Sequence, residues 1–365
     1  MGYVSKTIRR ITGLDFARSL AMFGMFIVNF TVITGAGTNG PDWLVHLTAL
    51  FEGRASALFV LLAGIGIALM TRKAREGNND QLIGDMRIVI WKRALFLFIV
   101  GLGLYLVGWT GDILHYYGVY LFFIAFLISF QQKILLYIVL AVVTIAQMLQ
   151  LTFDVFVGWN PYALYMDYMD FWTINGFLRN LFFNGYHPIF PWFAFILVGL
   201  VIGSFDLRSN RIRRKLLMVG VIILVFSESL SKILISQTAS ILTTEVAEFL
   251  FNTGPILPSI LYIISASGSA FIILIISLYI TERFSKNKLV TSIIASGQMT
   301  LTHYIAHILI GVSFLEWIGR AEHQSLFFIY SFCIVFYSLC ILFSGLWKRK
   351  YSRGPVEWLM RYLTK

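Results

Sequence analysis

Residues 14–34 read LDFARSLAMFGMFIVNFTVIT. The run carries one acid, one arginine and one asparagine and is otherwise dominated by apolar side chains. Its length suffices to cross a hydrocarbon core of about 30 Å, which takes about 20 mostly apolar residues in a helix. No small-residue cleavage site closes it, so it reads as a span and not as a removable signal. Nine further runs of this kind follow, at about 55–71, 90–109, 113–130, 134–153, 189–205, 216–234, 258–281, 289–317 and 325–347. The whole 365-residue chain is 58% hydrophobic and only 13% charged, with a mean hydropathy of +0.79. A soluble domain carries about one quarter charged residues. Composition therefore excludes a soluble enzyme, a disordered chain and a secreted disulfide scaffold. It leaves an all-α, polytopic transmembrane bundle of about ten helices.

The net charge of +11 could point to nucleic acid in a soluble protein. Here it follows topology. Lys6, Arg9 and Arg10 precede the first run, and Arg72, Lys73, Arg75, Arg87, Lys92 and Arg93 surround the next basic loop. Lys133 follows, then Arg208, Arg211, Arg213, Arg214 and Lys215, then Arg283, Lys286 and Lys288, and finally Lys348, Arg349, Lys350, Arg353, Arg361 and Lys365. These account for 24 of the 29 basic residues. They fall in alternate loops, as the positive-inside rule requires of ten spans with both termini in the cytoplasm. The remaining five are Arg18, Arg54, Arg179, Lys232 and Arg320. We read residues 1–365 as one transmembrane domain, with motif-bearing N-terminal helices over 14–130 and a C-terminal set over 189–365. The expected location is the cell (plasma) membrane.

Ionisable residues inside a membrane helix are costly and become functional candidates, with structural pairing as the alternative. Asp15 and Arg18 are three residues apart and share a helix face, which makes an ion pair or a site for an anionic ligand such as a phosphate. Asn29 lies eleven residues further along, about 16 Å up the axis. It can bond to a neighbouring helix, position an acceptor or stabilise an oxyanion. Glu52 and Arg54 enter the second run and can pair with each other or with neighbouring helices. Gly64 and Gly66 point to close helix packing.

All six histidines fall outside the basic loops: His46, His115, His187, His303, His307 and His323. Asp112 precedes His115 by three residues at a helix start, so the carboxylate can orient the imidazole or cap the helix. His187 stands just before Pro188 and Pro191 at the mouth of a helix. His303 and His307 are four apart, a spacing that can hold one metal ion. No third ligand stands near them, so a polar, pocket-lining face is the preferred reading and no metal is expected. Cys333 and Cys340 share a helix face, which reads as packing. Two long connections remain. Residues 154–187 are rich in aromatics, among them Trp159, Tyr165, Tyr168, Phe171 and Trp172. They read either as an interfacial helix or as a lid whose rings stack on a sugar-like acceptor. Residues 235–257 are polar and lead into Pro255 and Pro258.

Several segments resemble a known superfamily of membrane acyltransferases. Arg9, Ile11, Leu14, Asp15 and Arg18 followed by Asn29 are similar to the first helix of the heparan-α-glucosaminide N-acetyltransferase group, which carries Arg-x10-Asn. The stretch Phe51 to Phe59, then Ala63 and Gly64, resembles the second-helix signature of its bacterial relatives and of the YeiB-like family. Asp112 to Gly118, His187 to Trp192, Gly297 to Tyr304 and Arg353 to Trp358 resemble later YeiB-like motifs, so the likeness spans nearly the whole chain. It implies transfer of an acyl group across the membrane, with acetyl-CoA or another acyl-CoA as cytoplasmic donor substrate. On that reading Arg18 and Arg54, with His303 and His307, attend the donor, and Arg18 and the basic 72–93 loop meet its phosphates. His115, Asn29, Asp112 and His187 form the catalytic set. One departure stands out. The heparan acetyltransferase group has a catalytic histidine shortly after the asparagine, whereas residues 31–40 here contain none. His115 is the first substitute and His187 the next.

Three functions fit this sequence. The first is an acyltransferase acting on an envelope glycan, lipid or small molecule at the outer face. The second is a transporter or exporter, which would use the same buried polar residues as a path and would favour broken helices in corresponding positions of two halves. The third is a non-catalytic protein that retains the fold. Expected partners are the lipid bilayer, acyl-CoA and an external acceptor, with a homodimer as an open alternative and no nucleic acid.

Overall fold

The computed structural model describes residues 10–77, 79–163 and 165–364; Lys6, Arg9 and Lys365 lie outside the described residues. Apart from one isolated bridge between Trp159 and Tyr168, the regular structure of the described residues is all helical. In order it forms α1 (Thr12–Ile33), α2 (Asp42–Ala49), α3 (Arg54–Glu76), α4 (Asp80–Leu106), α5 (Leu114–Leu127) and α6 (Gln132–Thr152). Then come α7 (Ile174–Arg179), continued by a π-helical turn over Asn180–Asn184, α8 (Ile189–Ile202), α9 (Asn210–Leu242), α10 (Thr244–Phe251) and α11 (Ile260–Arg283). The last set is α12 (Lys288–Gly297), α13 (Thr300–Ala306), a π-helical turn over His307–Val312, α14 (Ser313–Trp317), α15 (Leu326–Trp347) and α16 (Pro355–Leu363).

Seven of these helical stretches are long and apolar enough to cross a membrane, and nine if each of two bent pairs counts as one span. This is a multi-pass membrane protein. Each of the ten apolar runs lies on a helix. One of them, α5, has only 14 residues, about 21 Å of helix. Two others are not continuous. The helix ending at Asn184 and α8 meet at 50°, and α12 meets the α13–α14 stretch at 75°. Short side-chain caps mark several starts: Asn79 accepts from the Leu82 N–H, Ser259 from that of Tyr262 and Ser325 from that of Phe328.

The run 289–317 was expected as one span, and the break at Gln298–Met299 corrects that. Gly297 is pressed against the Asp15 carbonyl of α1, where a Cβ would collide with backbone. The Gln298 amide donates to Asp15 Oδ2 at 3.1 Å. The chain then restarts as α13, whose Leu301 and Thr302 N–H groups donate to Glu357 Oε1 at 2.8 and 3.1 Å. The Thr302 hydroxyl donates to Glu357 Oε2 at 2.6 Å and accepts from the Val356 N–H. A carboxylate from α16 thus satisfies the orphan donors of a helix interrupted within the bundle.

Segment 154–187 is not one interfacial helix. It is irregular up to Thr173 because Asp154, Asn160, Pro161 and a left-handed Gly158 favour turns. It is nonetheless well tied. The Asn184 amide donates to the carbonyls of Val155 and Val157, Trp159 Nε1 donates to the Asn184 carbonyl, and Tyr105 stacks on Phe171 at 3.6 Å. Arg179 holds Asp170 through both carboxylate oxygens at 2.7 Å. At the other long connection, α9 continues to Leu242, eight residues beyond the apolar run, before α10 begins.

α1 and α8 are enclosed on most faces, whereas α9 and α15 bury only a narrow stripe, as helices at the lipid boundary do. Cys333 and Cys340 are both free and both on the buried stripe of α15. Gly64 of α3 and Gly199 of α8 each abut the other helix's backbone, so close packing accounts for Gly64.

Candidate functional site

Two cavities lie at opposite ends of α1. The first, of about 740 Å3, is lined by the start of α1, the ends of α3 and the α8–α9 loop, the α12–α13 break and α16. We call this the basic end, because Arg10, Arg18, Arg72, Arg93 and Arg208 line it together with three acids, Asp15, Asp206 and Glu357. The second, of about 550 Å3, is lined by the far end of α1, the α2–α3 turn, the α4–α5 connection, the 165–188 cap, residues 255–258 and the end of α14. Alternate loops therefore gather at alternate ends of the bundle.

At the basic end Asp15 is 1% exposed and serves as the hub. Arg10 grips it with two bonds of 2.7 and 2.9 Å, Arg18 Nη1 donates at 3.0 Å, and Gln298 completes the shell. The expected Asp15–Arg18 pair is thus present, but within a larger cluster. Arg18 also reaches the Leu62 carbonyl at 3.4 Å, and its guanidinium lies 3.1 Å from where a Cβ on Gly66 would stand, so glycine leaves it room. Arg93 projects from α4, with Nη1 on Met70 Sδ and its buried Nε without a partner. A buried donor left this way is costly unless something completes it.

At the far end Asn29 and His187 both line the cavity. Asn29 Nδ2 lies 2.9 Å from His307 Nε2, and His307 Nδ1 bonds to the Tyr304 carbonyl. A carbonyl can only accept, so Nδ1 carries the proton and the neutral ring's Nε2 accepts from the Asn29 amide. That commits one of the two Asn29 N–H groups to His307, while the Asn29 oxygen has no hydrogen-bond partner among the described residues. Behind the wall formed by Trp109 to Gly111 lies a fully buried network. The Asp112 carboxylate takes the His115 N–H at 2.9 Å, His115 Nδ1 at 2.8 Å and the Tyr304 hydroxyl at 3.1 Å. The Tyr304 hydroxyl in turn accepts from Trp109 Nε1 and the Ile113 N–H, each at 3.2 Å. Asp112 and His115 are therefore paired in base–orienter geometry, yet neither lines either of these two cavities, and His115 Nε2 has no partner.

Two other candidates stand elsewhere. Arg54 binds Glu228 at 2.6 Å and Ser265 at 2.8 Å and lines neither cavity. His303 bonds Ser344 of α15 at 2.7 Å, so His303 and His307 turn to different helices instead of converging.

A family model described as heparan-alpha-glucosaminide N-acetyltransferase, catalytic, matches residues 10–238. The chain belongs to this family. A second model, described as a protein of unknown function (DUF418), matches residues 202–365. The chain is also 24% identical to the uncharacterized protein YeiB of Escherichia coli (strain K12), over 98% of this chain and 96% of that one. The YeiB-like character expected from the motifs is thus established. Both cavities draw residues from both matched stretches, so the two halves of the family pattern build one bundle interior.

Glu52, singled out with Arg54 as a pairing candidate, lines the far cavity instead. Three further residues escape the motif reading: Gln150 lines the far cavity, and Gln298 and Glu357 line the basic one. Glu357 sits inside the Arg353–Trp358 motif, where an acid beside apolar residues is the local signal. Nothing local marks Gln150, whose role depends on a helix remote in sequence.

Proposed function

We propose that this protein is a membrane acyltransferase. It moves an acetyl or other acyl group from acyl-CoA on the cytoplasmic side to an acceptor on the outer side. The carrying observation is the pair of cavities at the two ends of α1, one rich in arginine and the other without any lysine or arginine in its lining. By the positive-inside rule the basic end faces the cytoplasm, with ten spans and both termini on that side. The family's printed activity, acetyl transfer to nitrogen, supports the reaction class.

The basic cavity suits the polyanionic part of acyl-CoA: Arg18 and Arg93 offer guanidinium donors to phosphate oxygens. When bound, the donor supplies an activated thioester carbonyl. Asn29 accepts a hydrogen bond from the acceptor's amine or hydroxyl and so holds the attacking atom. His187 lines the same cavity and takes the proton released as the acceptor's nitrogen or oxygen bonds to the thioester carbonyl carbon; the C–S bond breaks and the departing CoA sulfur leaves as the thiol once that proton is passed on. The Asp112–His115 pair buttresses the wall behind them. The transporter reading is less well supported. Its broken helices would occupy corresponding positions of two halves. Here one bend precedes the sixth run and the other falls inside the ninth, whose counterpart, the fourth, runs unbroken as α5.

The test is calorimetric titration of acetyl-CoA into the purified protein in nanodiscs, paired with an acyl-transfer assay. Arg18→Ala is expected to weaken donor binding by about tenfold or more. His187→Ala is expected to slow transfer by about 10²-fold or more while leaving donor affinity unchanged. No binding at millimolar acetyl-CoA would sink the proposal.

A further inference from the structure

The far cavity has a chemical bias of its own. Its ionisable lining consists of Glu52 and Glu316, His187 and tyrosines, with no lysine or arginine. Neither carboxylate is ion-paired among the described residues. Glu52 is held there by a tight turn: Gly53 has φ +65 and is pressed against Pro255 and the Tyr262 hydroxyl, leaving no space for a Cβ. Three buried polar atoms in the wall have no partner, His187 Nδ1 among them. Gln150 is 6% exposed and its Oε1 is unbonded, and Trp192 is 1% exposed with Nε1 unbonded. The Asn29 oxygen, which no described group bonds, adds another acceptor. Acceptors thus outnumber donors, and the rings of Trp109, Tyr165, Tyr186 and Trp192 line the same space.

Such a lining is complementary to a cation. Carboxylates and amide oxygens accept from an ammonium group, and aromatic faces attract it. An anion would meet two carboxylates, and no charged donor would offset them. We propose that the far cavity is a binding site for an organic cation, a protonated amine on a flat or apolar body, and that it discriminates against anionic acceptors. This rests on the acyltransferase reading only in naming the ligand as acceptor; the binding itself does not require transfer. The ammonium could come from a soluble amine or from the headgroup of phosphatidylethanolamine.

The experiment uses the full chain in nanodiscs of phosphatidylcholine, with no acyl donor. Phenethylamine and 3-phenylpropionate share a ring and a two-carbon arm and differ in charge at neutral pH. Calorimetry is expected to find the amine bound at least about tenfold more tightly than the acid, one such step being a modest charge preference. Glu52→Gln is expected to remove most of that preference, and Gln150→Leu to weaken the amine while leaving the fold intact by thermal melting. Equal affinity for the two probes, or tighter binding of the acid, overturns the proposal. So does an unchanged preference in folded Glu52→Gln. Repeating the titration with phosphatidylethanolamine in the disc identifies the source: competition points to the headgroup and its absence to a soluble amine, each consistent with a cation site. If amines bind but no acyl transfer follows when acetyl-CoA is added, the acyltransferase reading fails and the cation site stands. If transfer proceeds onto anionic acceptors with no preference for amines, the reverse holds.

Discussion

The two cavities are close in size and share α1, yet they are held by opposite chemistry. At the basic end nearly every polar group is engaged: three side chains converge on Asp15, and Glu357 fastens α16 to α13. At the far end the wall is braced by a buried network around Asp112 and Tyr304 behind it, while Gln150 Oε1, His187 Nδ1 and Trp192 Nε1 within the wall are left unpartnered. A network of charges costs little to keep where its members neutralise one another and some of them reach solvent. Unsatisfied dipoles persist only where a ligand or water completes them. The difference assigns the basic end to gripping a large charged partner and the far end to orienting a smaller one.

That contrast can be broken by removing the hub. Asp15→Ala strands two guanidinium groups and the Gln298 amide. Breaking a buried pair costs about 3–5 kcal/mol. Arg18 is 24% exposed and Arg10 more so, which reduces the expected loss to about 2–3 kcal/mol. Thermal unfolding in nanodiscs measures this, and a change under about 1 kcal/mol would mean that the cluster is not the structural centre of the basic end. Tyr304→Phe probes this buried brace. It leaves Trp109 Nε1 and the Ile113 N–H without an acceptor and is expected to cost about 1–3 kcal/mol. Unlike Asp15→Ala, its effect should not change with salt; a salt-dependent loss would erase the distinction between the two ends.

Smaller effects sharpen the comparison. Burial raises the Glu357 carboxyl above its ordinary value of 4.5, against the pull of the bonds from Thr302 and Leu301. A carboxyl shifted up on folding contributes stability that is full below the unfolded value near 4.5 and is lost as pH rises through the folded value. The melting temperature of Glu357→Gln should therefore fall less steeply than that of the native protein above pH 4.5. Parallel curves would show that α16 is not fastened through a strained carboxyl. Gln150→Leu removes an acceptor that nothing in the protein satisfies, so stability should stay within about 0.5 kcal/mol of the native value or rise. A marked loss would mean that its long 3.4 Å bond to the Pro258 carbonyl matters more than its length indicates.

Much of the architecture was readable along the chain. All ten apolar runs lie on helices, and three of the basic stretches, through Arg10, Arg72 with Arg93, and Arg208, meet at one cavity. The Asp15–Arg18 pair and the Asp112–His115 pair were legible because each joins residues three apart, where helix geometry alone brings side chains together. Partners remote in sequence were not legible. Arg54 had Glu52 two residues away and chose Glu228 of α9. His303 and His307 share a spacing suited to one ligand and separate because the helix widens into a π-turn, with Ser344 and Asn29 competing for the two rings.

The sequence by itself determined the class, the runs, their alternation and the family pattern, since hydropathy and loop charge are local sums that any lipid-facing arrangement must obey. Only the tertiary structure decided where the ninth run breaks, which imidazole reaches a cavity, and that one end collects arginines while the other collects unpaired acceptors. Those outcomes depend on which helix lies against which. In a low-dielectric interior a polar side chain is governed by whatever group stands within about 3 Å of it, however far away that group is in the chain.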